Sequence, residues 1–382
     1  MIMRLFLSCA ELGLGHLTRI IALGRKLAER GHGLFFFSGG IAYQLLRKEF
    51  AQVYPCTPVA WYETSHGILA SASLLNILIP LPSFNHERNK LEIKSPSAAE
   101  TVHRYYDLRR YIKAIRPEMI ITDGDMHALR LAHRWKIPAV YITNIIRPSY
   151  GFSPLLAPGE RFTERYVREC TKIIVPDNPP PYTVCEYNLG DLEKIGVEDK
   201  VEFVGPFTDM VPLRGLEKHI FASISGPLGT RAKLIQMIIP VLRQLGTNSV
   251  ISLGEPSKRS AKKMGDCEIH TWLSTEEREE YMRDSKIVVF SGGHATCFEI
   301  IKYGKPSVCI PTQPEQMANA KKIMELNCSK TVKNQEQLKG ALQEIEERKE
   351  FFKTNVKALN ECSINLKGPN QAVSVIENVT KT

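Results

Sequence analysis

Residues 291–319, SGGHATCFEIIKYGKPSVCIPTQPEQMAN, contain the signals that decide which fold the sequence predicts. The β-branched run at 286–290 just before them is typical of a buried strand, and two glycines then turn the backbone. A short helix is predicted to begin at Thr296 and to end at Gly304, because Pro306 cannot continue it. These residues predict one strand–turn–helix unit.

The same pattern then repeats. A second strand is predicted over 307–310, and the polar turn at 313–316 opens another helix. Strands that alternate with helices in this way form a parallel sheet, in which both turns lie at the carboxyl ends of their strands. Ligands bind at that edge of such sheets. The stretch therefore predicts an α/β fold with a ligand site formed by its two turns.

The polar groups of the two turns indicate what they bind. The backbone amides at 292–293 and the helix N-terminus that follows them suit a phosphate. Glu299 lies one helical turn further on, within reach of a sugar hydroxyl, although Thr296 and Glu299 also have the spacing of a capping box. Glu315 and Gln316 offer oxygen acceptors and an amide donor, which suit neutral hydroxyls.

This spacing resembles the donor-binding signature of GT-B nucleotide-sugar glycosyltransferases. It is similar to that of the UDP-glycosyltransferases and of the peptidoglycan enzyme that adds N-acetylglucosamine to a lipid-linked precursor. The matching residues are Gly293, Thr296, Glu299, Gly304, Pro306, Pro311, Glu315, Gln316 and Asn319. The resemblance implies that Thr296 and the turn amides meet the donor diphosphate. It also implies that Glu299 binds the ribose, while Glu315 and Gln316 hold the transferred sugar.

Two positions depart from that signature. Many relatives have Asp in place of Glu315, and the small-molecule enzymes have a His where this chain has Ser291, to which His294 is not equivalent. Another Gly-rich turn at 226–230 precedes a predicted helix, and Trp272 is expected either to stack on a base or to pack in the core. The expected donor-binding residues are Gly226, Trp272, Gly292, Gly293, Thr296, Glu299, Glu315 and Gln316.

The start of the chain predicts another unit of the same kind. A strand over 3–9 is followed by a glycine-containing loop and an amphipathic helix over 17–30. The loop carries G-x-G-H, with Gly13, Gly15 and His16, which resembles the acceptor side of GT-B enzymes. The resemblance implies that His16 is the catalytic base, and the alternative is that His16 only caps its helix.

A pair of carboxylates follows a further predicted strand. The strand over 119–122 ends in Asp123-Gly124-Asp125, at the edge of the sheet where catalytic groups gather. In the small-molecule transferases a carboxylate in a comparable place orients the catalytic His, and the resemblance gives this role to Asp123. Two carboxylates also allow a metal site. Relatives of this kind need no metal, however, so neither a metal nor another cofactor is expected.

Length and composition indicate a globular protein of two domains. The 382 residues are 43% hydrophobic, and the nine cysteines include no C-x-x-C pair, so they are expected to be reduced core residues. No run of ~18 uninterrupted apolar residues predicts a membrane-spanning helix. Because no signal peptide is recognised, the expected location is the cytoplasm.

The formal net charge of +9 is concentrated in the first part of the chain. Residues 1–150 contain 19 Lys and Arg against 11 Asp and Glu, which suits a phosphate-bearing ligand or an anionic membrane surface, or serves solubility alone. The segment 74–81 is nearly all apolar and precedes Arg88, Lys90 and Lys94. It is expected either to touch a membrane surface or to be buried. No nucleic-acid-binding module is recognised, so nucleic acid is not an expected partner.

These observations predict two Rossmann-like domains that face each other across a cleft. Residues 1–208 are expected to bind the acceptor and 209–367 the nucleotide sugar, while 368–382 form a helix that crosses back to the first domain, as GT-B proteins do. The expected reaction is metal-independent hexosyl transfer from a nucleotide sugar, with UDP as the expected nucleotide, to a hydroxyl acceptor that is soluble or lipid-linked. The alternatives are a sugar-nucleotide 2-epimerase of the same fold and a non-catalytic nucleotide-sugar-binding subunit.

Overall fold

Two seven-stranded sheets form the framework of the computed structural model. The structure describes residues 2–11, 13–64, 67–68, 70–85, 90–150, 157–210, 215–225, 228–255 and 259–379, and within these it contains the following elements. The strands are β1 (Arg4–Cys9), β2 (Gly33–Ser38), β3 (Val53–Pro55), β4 (Glu63–Thr64), β5 (Gly67–Ile68), β6 (Leu81–Asn85), β7 (Lys90–Lys94), β8 (Met119–Asp123), β9 (Ala139–Ile142), β10 (Lys172–Val175), β11 (Val201–Phe203), β12 (His219–Ser223), β13 (Ser249–Ser252), β14 (Ala261–Met264), β15 (Cys267–His270), β16 (Ser285–Phe290), β17 (Ser307–Cys309) and β18 (Ser329–Thr331). The helices are α1 (Gly13–Glu29), α2 (Gly40–Glu49), α3 (Ala70–Asn76), α4 (Ala98–Ile115), α5 (Met126–Trp135), α6 (Ala157–Arg168), α7 (Glu186–Leu189), α8 (Leu192–Ile195), α9 (Leu228–Leu245), α10 (Thr275–Arg283), α11 (His294–Lys302), α12 (Pro314–Glu325), α13 (Gln335–Glu347), α14 (Lys349–Asn365) and α15 (Pro369–Val379).

Both sheets are wound in the same way. The first has the strand order β11-β10-β9-β8-β1-β2-β3, and all of its pairs are parallel. The second has the order β14-β15-β13-β12-β16-β17-β18, with β14 antiparallel at its edge. In each sheet the chain starts in the middle and winds outward in both directions. The strand ends beside this central reversal point are where an open α/β sheet places its ligand site.

The first sheet is buried on both faces, as parallel strands usually are. On one face Leu5 and Leu7 of β1 pack in the same core as Ile20 of α1. On the other face Phe6 stacks on Phe37 of β2, with ring centroids 3.9 Å apart. Because successive residues of a strand point to opposite faces, β1 contributes to both layers of the core.

The last helix of the chain packs against the first sheet. Ala372, Val373 and Ile376 of α15 are buried in the same core cluster as Leu5 of β1. The predicted boundary at residue 208 falls in the connection between β11 and β12, the last strand of one sheet and the first strand of the other.

Helix α1 begins earlier than predicted. It starts at Gly13 rather than at Leu17, so Gly13 and Gly15 lie in its first turn and not in a loop. Glycine costs about 1 kcal/mol in a helix, which is why the pattern predicted a loop. The burial of Leu17 and Ile20 against the sheet outweighs that cost.

Helix α11 also differs from its predicted start. It begins at His294 after the N-cap residue Gly293, so Thr296 lies within the first turn rather than at the cap. The capping-box interpretation of Thr296 and Glu299 is therefore wrong. Gly293 has no side chain to cap the helix, which leaves first-turn N–H groups for another partner.

The edge strand β11 of the first sheet was not predicted from the sequence. It pairs in parallel with β10. The three-residue run Val-Glu-Phe of β11 is too short to produce a periodic signal, and it lies at the edge of the sheet.

Part of the apolar segment 74–81 is exposed. It runs from α3 to the start of the β6–β7 hairpin, and Leu78 at its centre is 78% exposed. Leu91 and Ile93 on β7 are exposed as well, at 68% and 75%. The interpretation of 74–81 as a wholly buried segment is wrong, because Leu78 is exposed. A two-stranded hairpin has too little neighbouring structure to cover its own apolar side chains.

Two further expectations concerned reduced cysteines and membrane-spanning helices. All nine cysteines are free, and eight of them are buried. Within the described part of the chain, no helix combines the length and the apolar character needed to cross a membrane.

Candidate active site

His16 and Asp123 lie in direct contact. His16 is in the first turn of α1, and Asp123 is the last residue of β8, the strand that pairs with β1. The imidazole Nδ1 lies 2.6 Å from Asp123 Oδ1. The Asp123 side chain is fully buried, whereas the His16 side chain is 24% exposed. A histidine whose Nδ1–H is donated to a carboxylate keeps the lone pair of Nε2 for a proton from a ligand.

Gly124 makes room for the His16 ring. Its φ is +76°, and a Cβ atom there would lie 2.9 Å from His16 Cε1 and 3.1 Å from Nδ1. A side chain at this position would therefore be strained and would also displace the imidazole. The glycine between the two predicted carboxylates is thus required by the close approach of His16.

A buried arginine completes this group. Arg19 donates from Nε to Asp123 Oδ2 at 2.7 Å and from Nη2 to Oδ1 at 2.8 Å. Its Nη2 also lies 3.0 Å from His16 Nδ1. Burial alone would raise the pKa of Asp123, but the charges and hydrogen bonds of Arg19 and His16 outweigh it and hold this pKa below its usual value. Sequence reasoning missed Arg19, although its i+3 spacing from His16 was a usable signal.

Asp125 belongs to a different cluster. Arg104, which is fully buried, donates to Asp125 Oδ2 at 2.7 Å and to Glu11 Oε1 at 2.7 Å. Asp125 also caps α5 by accepting from the N–H of His127 at 3.1 Å. Asp123 and Asp125 are therefore paired with different arginines and do not form a joint carboxylate site.

The two turns of the second sheet pack tightly on each other. Gly292 has a φ of +90°, and a Cβ atom there would lie 2.9 Å from both the Gln316 carbonyl oxygen and Cys309 Sγ. Asn319 Nδ2 donates to the Gly292 carbonyl at 3.0 Å. Gly292 and Asn319, which the sequence placed in one ligand site, are thus held together where the turn after β16 packs on α12.

Glu299 is paired with a residue that sequence reasoning missed. Its Oε2 lies 2.6 Å from Nη1 of Arg278, a residue of α10. Arg278 Nη2 also donates to Ser223 Oγ at 3.3 Å, at the end of the central strand β12. The Arg278 guanidinium therefore lies beside Glu299, the residue predicted to bind the ribose. Both are at the edge of the second sheet where ligands are expected to bind.

Comparisons with known proteins point to glycosyltransferases. Residues 233–367 match the family described as Glycosyltransferase family 28 C-terminal domain. An uncharacterized glycosyltransferase of Methanosarcina mazei is 25% identical over 391 residues, which cover 97% of this chain and 96% of that protein. An uncharacterized glycosyltransferase of Methanopyrus kandleri is 23% identical, with 80% and 85% covered.

Solved structures are similar over the whole length of the chain. The glycotransferase of kitacinnamycin superimposes with a TM-score of 0.72 at 17% identity, covering 99% of each chain. The spinosyn rhamnosyltransferase SpnG, complexed with thymidine diphosphate, gives 0.70 at 13% identity and covers 98% of this chain and 100% of its own. The chain has the GT-B fold. The predicted α/β architecture of two Rossmann-like domains is thus confirmed, and the family match and the relatives support a glycosyltransferase.

In this GT-B fold the two units meet at the second predicted turn. Asn144, which follows β9 of the first sheet, donates to Glu315 Oε1 at 3.0 Å. Asn188 Nδ2 donates to the Glu315 carbonyl at 3.1 Å. Gln316 uses its own Oε1 to accept from the N–H of Thr312 at 3.0 Å and from the Thr312 hydroxyl at 2.8 Å, which leaves its amide group as the donor for a ligand.

Trp272 and Gly226 were also expected to bind the donor. Trp272 is 37% exposed, so it is not a core residue. Gly226 lies outside the described residues. Thr230 of α9, just beyond that turn, is buried, and its hydroxyl has no hydrogen-bond partner among the residues that the structure describes.

The buried His294 joins the halves of the GT-B fold. His294 Nε2 lies 2.9 Å from Asp177 Oδ2, and Asp177 also accepts backbone N–H bonds from Asn178, Val184 and Cys185. The side chains of Asp177, Cys185 and His294 come within 4.8 Å of one another, as metal ligands do. The carboxylate oxygens are already satisfied by these donors, so the contact is explained as a structural link between the units.

Proposed function

We propose that this protein transfers a hexosyl group from a nucleotide sugar, with UDP as the expected nucleotide, to a hydroxyl acceptor, without a metal. The contact between His16 Nδ1 and Asp123 Oδ1 carries the proposal, because it prepares a base at the ligand edge of the first sheet. The family match of residues 233–367 supports a transferase rather than a binding subunit.

The chain's own residues divide the reaction between them. His16 takes the proton of the acceptor hydroxyl, the oxygen attacks the anomeric carbon, and the bond from that carbon to the donor phosphate breaks. The nucleoside diphosphate leaves with the electron pair. Asp123 holds the imidazole and stabilises the imidazolium that forms. The amides of Gly292 and Gly293, with Thr296 in the uncapped first turn of α11, stabilise the departing diphosphate.

The remaining turn residues bind the neutral parts of the donor. Glu299 accepts from the ribose hydroxyls, and Arg278 fixes its carboxylate from the other side. Glu315 and Gln316 hold the sugar, and Trp272 is exposed enough to stack on the base. Asn144 orients the Glu315 carboxylate from the first domain.

Calorimetric titration of nucleotides tests the donor side. UDP is expected to bind the wild-type protein more tightly than GDP or dTDP. We include dTDP because SpnG was solved with thymidine diphosphate.

Glu299→Ala should weaken UDP binding by about 1.5–3 kcal/mol, because hydrogen bonds to a charged group are lost. Glu279→Ala, which removes an exposed carboxylate 3.4 Å from Lys302, is the matched control. Unchanged UDP affinity in Glu299→Ala would remove Glu299 from the site. A manno product formed from UDP-N-acetylglucosamine alone would favour the epimerase.

We further propose that the exposed apolar side chains on the β6–β7 hairpin and just before it let the protein reach a lipid-linked acceptor at an anionic membrane. Leu78, Leu91 and Ile93 present apolar side chains to solvent, and residues 1–150 carry the excess of positive charge. Apolar insertion and charge attraction together give reversible surface binding.

Vesicle co-sedimentation tests this proposal. Binding to anionic vesicles is expected to exceed binding to neutral ones and to weaken with salt, because charges are screened beyond ~8–10 Å. Leu78→Ser should reduce binding, whereas Leu216→Ser, at an exposed position of the second domain, should not. Equal binding to anionic and neutral vesicles would instead favour a soluble acceptor.

A further inference from the structure

Arg19 contacts both residues of the proposed catalytic pair, but the expected mechanism gives Arg19 no role. Its side chain is nearly buried, and its guanidinium contacts both Asp123 and His16. We propose that Arg19 is a positioning residue that holds His16 as the neutral Nδ1–H tautomer, with Nε2 free to accept the proton of the acceptor. This proposal rests on the proposed role of His16 as the base.

The first argument is geometric. Arg19 engages both carboxylate oxygens of Asp123, with Nε on Oδ2 and Nη2 on Oδ1. Such a fork fixes the carboxylate plane as well as its position. Oδ1 is thereby held toward His16 Nδ1, and the only arrangement in which all three groups are satisfied has the proton on Nδ1. The ionised carboxylate can only accept, so the 2.6 Å contact between Nδ1 and Oδ1 requires that Nδ1–H is donated to Oδ1. Arg19 Nη2 then donates to Oδ1 and lies beside Nδ1 without a hydrogen bond to it.

The second argument concerns charge. An unshielded carboxylate 2.6 Å from an imidazole would favour the imidazolium, which is not a base. The Arg19 cation offsets that charge and stands 3.0 Å from the same ring nitrogen. The Arg19 cation therefore opposes a second positive charge on the ring and favours the neutral imidazole over the imidazolium.

The surrounding groups keep Arg19 charged. Burial would lower the pKa of Arg19, but Asp123, together with Glu315 on α12 and Tyr141 on β9, outweighs burial and raises it. The groups whose charges act on Arg19 thus include Asp123, Glu315 and Tyr141. Because burial raises the pKa of Tyr141, its phenol stays neutral at neutral pH.

Histidine NMR tests the proposal without any substrate. His16 is assigned by the signal that is lost in His16→Gln. In the wild type, the nitrogen shifts of His16 should show the Nδ1–H tautomer at neutral pH, and a predominant Nε2–H tautomer would overturn the proposal. This measurement needs no variant of Arg19 and therefore holds even if Arg19→Met fails to fold.

The charge argument is tested by a pH titration of the same signal. In Arg19→Met the midpoint of the His16 titration should move to higher pH by about one unit or more, since a neighbouring cation is removed and the carboxylate is unshielded. Arg19→Lys, which keeps the charge, should restore most of the wild-type midpoint. Arg25→Met is the matched control, because Arg25 is on the same helix, exposed and paired with Glu49. Equal midpoints in the wild type and Arg19→Met would overturn the proposal.

The tests of Arg19 can fail or succeed independently of the tests of the proposed transferase function. If His16→Ala transferred sugar normally while Arg19→Met still shifted the titration, the transferase mechanism would fail and the positioning role would stand. If both hold, the acid limb of the pH profile of transfer should move to higher pH in Arg19→Met and stay in place in Arg19→Lys. A residue that only stabilised the fold would lower the amplitude of that profile without moving it.

Discussion

Replacement of His16 by alanine is expected to slow sugar transfer about 10²–10⁴-fold and to leave nucleotide binding unchanged. The reason is that a hydroxyl acceptor attacks only as its proton is removed, and the unperturbed pKa of an imidazole, about 6.5, suits it to that task. The proposed donor-binding residues belong to the second sheet and its turns, so their contacts do not depend on the His16 ring. Initial rates of transfer and calorimetric titration with UDP, measured on the same preparation, separate the two effects.

Asp123→Asn should show a smaller loss of the same kind. The amide keeps the volume of the carboxylate but removes the charge that stabilises the imidazolium, and it leaves Arg19 without its ion-pair partner. His133→Ala, at a half-exposed histidine on α5, is the control for the loss of an imidazole elsewhere. Transfer by His16→Ala at the wild-type rate would exclude His16 as the base.

Arg104→Met is expected to lower the free energy of unfolding by about 3–5 kcal/mol at pH 7. The methionine fills much of the same space, but Asp125 and Glu11 would lose the guanidinium that both accept from. Arg110→Met is the matched control, because Arg110 is exposed on the same helix and lies over the ring of Tyr111. Its expected cost is about 0.5–1 kcal/mol. Urea unfolding of the three proteins measures both differences.

The difference in unfolding free energy between the wild type and Arg104→Met is expected to depend on pH because of Asp125. Burial would raise its pKa, but Arg104 outweighs burial and holds the folded-state pKa below the usual value. A carboxyl with a depressed pKa stabilises the fold above its unfolded pKa of about 3.9, and this stabilisation is lost as the pH falls through the folded value. The wild type and Arg104→Met should therefore differ most near neutral pH and converge in acid. A difference that stayed constant from pH 7 to pH 3 would contradict this account.

The sequence predicted the contacts that depend on one sheet. The resemblance to small-molecule transferases predicted that Asp123 orients His16, and the two lie near the carboxyl ends of the neighbouring parallel strands β8 and β1. The end of α11 near Gly304 and the start of α12 at Pro314 were also predicted. Glycine adopts the positive φ that ends a helix, and proline is favoured in the first turn of one.

The contacts that were missed depend on longer-range packing. The i+3 spacing of Arg19 from His16 was visible, but the helix was expected to begin after His16, so the two were not placed on one helical face. Asn144 and Glu315 are 171 residues apart and meet only because the two units are docked in this orientation. No local pattern encodes that docking.

The packing of α15 on the first sheet has a consequence for how the chain is made. Ala372, Val373 and Ile376 fill part of the core that Leu5 and α1 also line, so this core is incomplete until residue 376 is available. On the ribosome, the N-terminal half emerges long before that helix and remains with apolar surface uncovered while the second half is synthesised. The helix that carries His16 thus reaches its final packing only when residue 376 has been translated, so the completion of the proposed catalytic element depends on the synthesis of the second sheet.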